Sequence, residues 1–213
     1  MRHKKRNNFW TIGFIVESFL FLCFFMSASP ILGKGNDREA FHSTTTYKQA
    51  ISVQWIGLVF HPQGGTYPGR YKRKLDPRAY FVIEWGAILA YERRIFNRCY
   101  LKSGAALYLD CADVPAGFVH LGVHFQLLNH GRHMVSIGLG PTLTFREDWH
   151  QFPEYTGDPF FKDSVHGKWQ YRFVIFGGIE YCFRITDKIL LNYTLIPGGR
   201  LIVTSCLGLK FVL

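Results

Sequence analysis

Between about Tyr47 and Leu213 the sequence runs through eight stretches in which apolar residues alternate with polar or small ones. A period of two places alternate side chains on opposite faces of an extended strand, so each stretch reads as a β-strand with one greasy and one polar face. The strands predicted in this way are 51–60, 79–93, 99–110, 119–127, 133–146, 168–184, 188–196 and 200–213. In the first, Ile51, Val53, Trp55 and Val59 share the apolar face. In the fifth, Val135, Ile137, Leu139, Leu143 and Phe145 oppose Ser136, Gly138, Gly140, Thr142, Thr144 and Arg146. Pro141 interrupts that strand and removes a ladder donor, which predicts a bulge or local break there. The 20 Phe, 11 Tyr, 5 Trp and 21 Gly of the chain favour strands with close backbone contacts over helices.

Eight amphipathic strands can close in two ways. A soluble barrel turns its apolar rows inward, and a membrane barrel turns them out to lipid. The links separate the two. Those after the second, fourth and sixth strands are a few residues each, near 94–98, 130–132 and 186–187, whereas 62–78 and 147–167 are long. Short turns at one end and long loops at the other are the outer-membrane arrangement, and strands of about 9–17 residues cover the roughly 9–11 that a tilted strand needs to cross the hydrocarbon. The inward glycines agree, because a narrow barrel has no room for the aromatic rows inside. The expected fold class is therefore all-β, an eight-stranded antiparallel up-and-down transmembrane β-barrel over 47–213, in the outer membrane of a Gram-negative-type bacterium.

Ahead of it, Arg2, Lys4, Lys5 and Arg6 precede an apolar run from Phe9 to about Met26, and then Ser27, Ala28 and Ser29. This is the layout of a secretory signal peptide over 1–33, with no clean cleavage pattern. An uncleaved anchor helix is the other reading of the same run. Residues 34–46 would then be a short periplasmic segment. The formal charge of +10 includes that leader. Taking Arg2, Lys4, Lys5, Arg6 and Glu17 away leaves 21 Lys+Arg against 14 Asp+Glu, or +7. The excess is concentrated in particular loops and not in a nucleic-acid-binding face. Cys99, Cys111, Cys182 and Cys206 have no CxxC or metal-type spacing. Cys182 and Cys206 would fall two strands apart, roughly 10 Å across the wall, too far for a bridge. All four are expected to be unpaired.

With its leader, even strand count, long and short links and a last strand carrying Phe211 near its end, the chain resembles the small eight-stranded outer-membrane proteins. The resemblance implies a structural, adhesion or resistance role, or lipid A modification by an acyl hydrolase or acyltransferase. It comes with no diagnostic motif, and a shared fold does not choose among those roles. The deacylases it resembles carry a His-x-Ser pair on one strand face, which this sequence lacks. Asp163, Ser164 and His166 in the third long loop match the Ser, His and Asp of the transferases in residue type only, and a triad is recognised by geometry.

Other candidates come from the residues themselves. The inward face gathers Glu84, Glu92, Asp110 and Glu180 with Lys102, Arg146, Arg172, Arg184 and Lys210. Buried charges must pair or stay hydrated, so a salt-bridged plug filling the lumen is expected, with a narrow ion path as the rival. His120 and His124 point inward beside them, as network members, metal ligands or a proton-linked gate. No third ligand stands at a fixed spacing, and neither metal nor cofactor is assigned. The first long loop holds Arg70, Lys72, Arg73, Lys74 and Arg78, which could bind the phosphates of outer-leaflet lipid, with lipopolysaccharide the nearest partner, or could be a merely solvated loop. The third, with Trp149, Phe152, Tyr155, Phe160 and Phe161, should fold over the barrel mouth or lie at headgroup level.

Overall fold

The computed structural model describes residues 47–65, 67–153, 155–157, 160–161, 165–166, 168–198 and 202–213, with 165–166 described by their backbone. The expected leader 1–33, the segment 34–46, and the loop residues Asp163 and Ser164 lie outside them, as does the side chain of His166.

The strands are β1 (Gln49–Phe60), β2 (Phe81–Phe96), β3 (Cys99–Leu109), β4 (Pro115–His130), β5 (His133–Glu147), the two-residue β6 (Val165–His166), β7 (Trp169–Arg184), β8 (Ile189–Pro197) and β9 (Val203–Val212). All pairings are antiparallel. They run β5-β4-β3-β2-β1-β9-β8-β7, and a β5–β7 ladder closes the ring. Eight long strands thus form one barrel, and β6 only adds a pair to the loop end of β7. The short turns are 97–98, 131–132 and 185–188, and the long connections are 61–80 and 148–168. Asn97 and Gly131 take positive φ, which lets two-residue turns match the twist of the strands they join.

Which face looks out is settled by exposure. Trp85, Leu89, Leu107, Leu139, Phe173 and Ile175 stand outward and more than half exposed, while Ser52, Gln54, Gln126, Gln170, Asn192 and Lys210 are buried inside. A soluble barrel has the reverse polarity. The apolar rows from the eight strands make a continuous greasy exterior of the kind that only lipid covers. Trp55 and Trp85 meet edge to face across β1 and β2 at 5.5 Å.

One predicted detail is corrected, and another takes the second of its two predicted forms. Val59 is 1% exposed and faces inward, because a bulge between Ile56 and Leu58 shifts the β1 register and flips the faces beyond it. Pro141 makes no bulge. Its pairing with β7 is continuous, and on the β4 side the ladder omits the pairs next to it, running from His120↔Thr142 to Val123↔Leu139 with an unchanged offset. The strand absorbs the missing donor as a gap in one ladder. The β4–β5 irregularity falls instead between Gln126 and Leu128.

Closure is tight at the inward glycines. A Cβ on Gly208 would lie 2.0 Å from the Val53 carbonyl oxygen and 2.5 Å from the Gln54 Cα, both backbone atoms that cannot give way. Gly208→Ala should therefore cut the yield of folded barrel, read as the fraction of heat-modifiable band on unboiled gels. Leu209→Ala, a lipid-facing change one residue along, should leave that yield unchanged.

Candidate functional site

The lumen is built in three levels. At the turn end, Glu92 on β2, Lys102 on β3, Glu180 on β7 and Lys210 on β9 converge from four strands. Lys102 Nζ lies 2.9 Å from Glu92 and 2.5 Å from Glu180, and Lys210 Nζ is 2.8 Å from Glu92 and also bonded to Glu180. Each charge has two opposite neighbours, and the four sum to zero. Tyr47 adds a hydroxyl donated to Glu92 at 2.7 Å, with its ring against Tyr100. Asn192 donates to Glu180 at 3.4 Å. Full burial of such a ring is tolerable only because every charge is paired; removing one member leaves an uncompensated buried charge.

Above this ring the histidines sit on glycines of the neighbouring strands. A Cβ at Gly122 would come 2.4 Å from the His120 ring, and one at Gly138 would come 2.3 Å from the His124 ring. The two rings stand 6.1 Å apart, and His120 Nδ1 shares a proton with the Thr142 hydroxyl at 2.7 Å. Among the described residues no group of three or more His, Cys, Asp or Glu is placed to hold a metal ion.

At the loop end the connections pack into a lid. Tyr71 and Ala79 of the first long loop, Cys111, Ala112 and Val114 of the β3–β4 loop, and Trp149 and Tyr155 of the third pack into one apolar cluster. Asp110 ties it together by accepting from the Trp149 indole at 2.8 Å and from the backbone N–H groups of Ala112 and Val114. Arg146 reaches in from β5, 4.3 Å from the Trp149 ring and 4.2 Å from that of Phe161, and donates to Gln170 and Tyr155. The aromatic third loop thus covers the barrel mouth, one of the two placements predicted for it.

The inward charges expected from the sequence sit at different levels of the barrel. Glu92, Lys102, Glu180 and Lys210 form the ring, with His124 next to it and His120 held by Thr142. Glu84, Asp110 and Arg146 belong to the lid region, Arg172 donates to the Phe160 carbonyl of the third loop, and Arg184 is buried at the turn end of β7. A lumen this long holds several levels of side chains, and one long side chain reaches only its own level. The basic residues of the first long loop do not form one patch. Arg73 is paired with Asp113, which Lys72 also meets at 3.6 Å, Arg70 lies over the Phe152 ring at 5.4 Å, and Lys74 donates to the Pro68 carbonyl at 2.8 Å. Lys72, Lys74 and Arg78 are the exposed ones. Cys99, Cys111, Cys182 and Cys206 are all free thiols. Histidines meet the hydroxyls of Thr142 and Tyr181.

No family model and no curated relative matches the chain. Among solved structures it is similar to Neisserial surface protein A at 7% identity and a TM-score of 0.48, covering 78% of this chain and 97% of that one. It is also similar to Ail, the attachment invasion locus protein of Yersinia pestis, at 15% and 0.45 over 78% and 99%. The N-terminal β-barrel domain of Pseudomonas aeruginosa OprF matches at 9% and 0.44 over 78% and 98%. At such scores the likeness adds nothing to what the wall and lumen of this chain show.

Two features went unread in the sequence. Tyr47 was taken as the start of the barrel and not as a partner of the ring. The space between ring and lid is the other, and the inward Gly104 and Gly178 that line it are its sequence signal.

Two predictions follow from these levels. Lys210→Met should lower barrel stability by about 3–5 kcal/mol in urea unfolding from lipid vesicles, and Lys210→Met with Glu180→Gln, which restores neutrality, should cost less. In the lid, burial holds the His61 imidazole down at about 4 against a weak pull from Asp76, so the folded state refuses a proton that the unfolded chain accepts near 6.5. His61 thus stabilises the lid above pH 6.5 and loses up to roughly 3 kcal/mol as pH falls through 4. Burial raises Asp110 to about 6 despite its backbone and Trp149 donors, so its contribution is present below about 4 and lost as pH rises through 6. The two oppose each other over that interval. The near-ultraviolet circular dichroism melt of wild type, compared with His61→Asn, should isolate the acid-side loss as their difference.

Proposed function

We propose that the protein works in the outer membrane as a closed, non-conducting barrel that presents its long loops at the outer surface and engages anionic lipid headgroups, those of lipopolysaccharide first, through the first long loop. The observation that carries the reading is the combination of an unbroken apolar exterior with a charge ring across the lumen. The exterior places the strands in lipid. The full burial of the paired ring of Glu92, Lys102, Glu180 and Lys210 supports a lumen closed to ions at the turn end. A role confined to the surface then falls to the loop end, where folded loops project rather than a pore.

Lys72, Lys74 and Arg78 are the part of the basic loop that can meet a phosphate. Each cation near an anionic surface contributes about 1 kcal/mol, so Lys72→Gln, Lys74→Gln and Arg78→Gln together should weaken binding to lipopolysaccharide micelles about a hundredfold at low salt. The effect should shrink as ionic strength rises. The same protein in a planar bilayer should show no steady conductance. Unchanged binding in the triple variant would remove the lipid-phosphate role, and ohmic conductance would remove the closed lumen.

A further inference from the structure

The rim at the turn end of the barrel carries charge that belongs neither to the lumen ring nor to the lid. Lys48 at the entry to β1, Arg93 near the end of β2, and Arg98, Arg132 and Lys188 in the three turns are all exposed, and Asp187 is the one exposed acid at that end among the described residues. Each turn supplies at least one cation, so the rim is basic all the way round. Backbone hydrogen bonds fix these positions to their neighbours: the Arg94 N–H donates to the Lys48 carbonyl, that of Gln126 to Arg98 and that of Val212 to Lys188, each at 2.9 Å. Thr186 closes the third turn by accepting from the Lys188 N–H at 3.3 Å and from that of Ile189 at 3.1 Å. The cations therefore stand on an ordered frame.

Two features set the depth of this rim. Within a few residues of the turns the outward rows carry tyrosines: Tyr91 is paired with the exposed Ile51, Tyr193 with the exposed Leu207, and Tyr181 with Tyr193. The Tyr181 hydroxyl lies 2.7 Å from His133 Nδ1, so its polar tip has a partner while its ring stays in the apolar row. Tyrosine concentrates where hydrocarbon gives way to headgroups, which puts the boundary of the hydrocarbon at this level. The cations are also interleaved with bare apolar side chains, Phe96 at 71% and Ile185 at 49% exposure. Apolar groups of that size, continuous with the greasy wall, belong at a lipid boundary and not in bulk water. The basic rim thus lies at headgroup depth, where the groups of opposite charge are lipid phosphates.

We propose that the turn-end rim is a binding site for anionic phospholipid headgroups, a collar of phosphodiesters gathered around Lys48, Arg93, Arg98, Arg132 and Lys188 in the leaflet opposite the long loops. A guanidinium matches two phosphate oxygens with two N–H donors, and the lysines add point charge. The occupant is a lipid because the tyrosines and the bare Phe96 and Ile185 hold the cations at the edge of the hydrocarbon. With the long loops at the outer surface that leaflet is the inner one, and only this naming of the leaflet rests on the surface reading above. The site uses none of the loop cations.

The test is electron spin resonance of the full folded chain in phosphatidylcholine vesicles at low salt, with a trace of spin-labelled phosphatidylglycerol or, separately, of phosphatidylcholine labelled on the same acyl chain. The chains cancel, so the ratio of the two association constants reads the headgroup alone. One cation beside an anionic headgroup corresponds to about fivefold, and the ratio averaged over the lipids around the barrel should be at least about twofold. It should persist in the variant with Lys72→Gln, Lys74→Gln and Arg78→Gln, which lacks the phosphate contacts assigned to the loop end and so keeps the two readings apart. Adding Arg93→Gln, Arg98→Gln and Lys188→Gln to that variant should remove more than half of the excess, whereas Arg93→Lys, Arg98→Lys and Lys188→Arg should keep it. At about 1 M salt, where the screening length is about 3 Å, the preference should vanish. Gel mobility reports folding of each variant, and the salt series with the charge-keeping variant carries the test if the neutral one does not fold. A ratio near one in the loop variant at low salt, or a preference unmoved by salt or by loss of the turn charges, would overturn the site. So would binding of the rim to peptidoglycan sacculi through the same three residues without any lipid preference, since the partner would then be an acidic wall polymer.

Discussion

Backbone hydrogen bonding in a medium without water governs the whole molecule. A strand in hydrocarbon must find a partner on both edges, so the sheet has to close on itself, and the β5–β7 ladder is the seam that closes it. Once closed, the pleat leaves each strand with one row of side chains for lipid and one for the lumen. Leu, Val, Phe and Trp take the first and Gln, Asn, Glu, Lys and Gly the second, and the opposite assignment would expose charge to lipid. The inward glycines are a consequence of the same closure, because eight strands bring backbones so near that a Cβ at Gly208 has nowhere to go.

The lumen inherits a second problem. Side chains that face inward can no longer be solvated freely, and long charged ones have to satisfy each other. Glu92, Lys102, Glu180 and Lys210 do so as a neutral ring, an arrangement in which every charge sees two of opposite sign within one level of the barrel. Above the ring the inward residues become small or apolar, and space opens. Beside this space a loop aromatic, Phe160, stacks on Phe176 of β7.

Much of this was legible in the sequence. Period-two alternation gave the strands and their outward faces, as in Ile137, Leu139 and Leu143 against Ser136, Gly138 and Thr142, and the rhythm of links distinguished a membrane barrel from a soluble one. Alternation fails where the backbone departs from a simple ladder, so it puts Val59 on the wrong face beyond the bulge, whereas Pro141 makes the local break that its missing donor predicts. The inward charges were identified as a set but not sorted into levels. Depth along the barrel depends on strand stagger, which no single strand encodes, so parity alone does not place Arg172 beside the third loop or Arg184 at the turn end. Parity puts Asp110 inside, and its place just past the end of β3 also makes it the anchor of the lid.

The claim on which everything else depends is that the apolar rows face lipid. It is tested most directly by tryptophan quenching in vesicles, using variants that retain Trp85 alone or Trp149 alone. Lipids brominated along the acyl chain should quench Trp85 strongly while aqueous iodide leaves it bright, and Trp149, enclosed in the lid, should respond much less to the brominated lipid. Quenching of Trp85 by iodide with no response to brominated chains would contradict the membrane barrel.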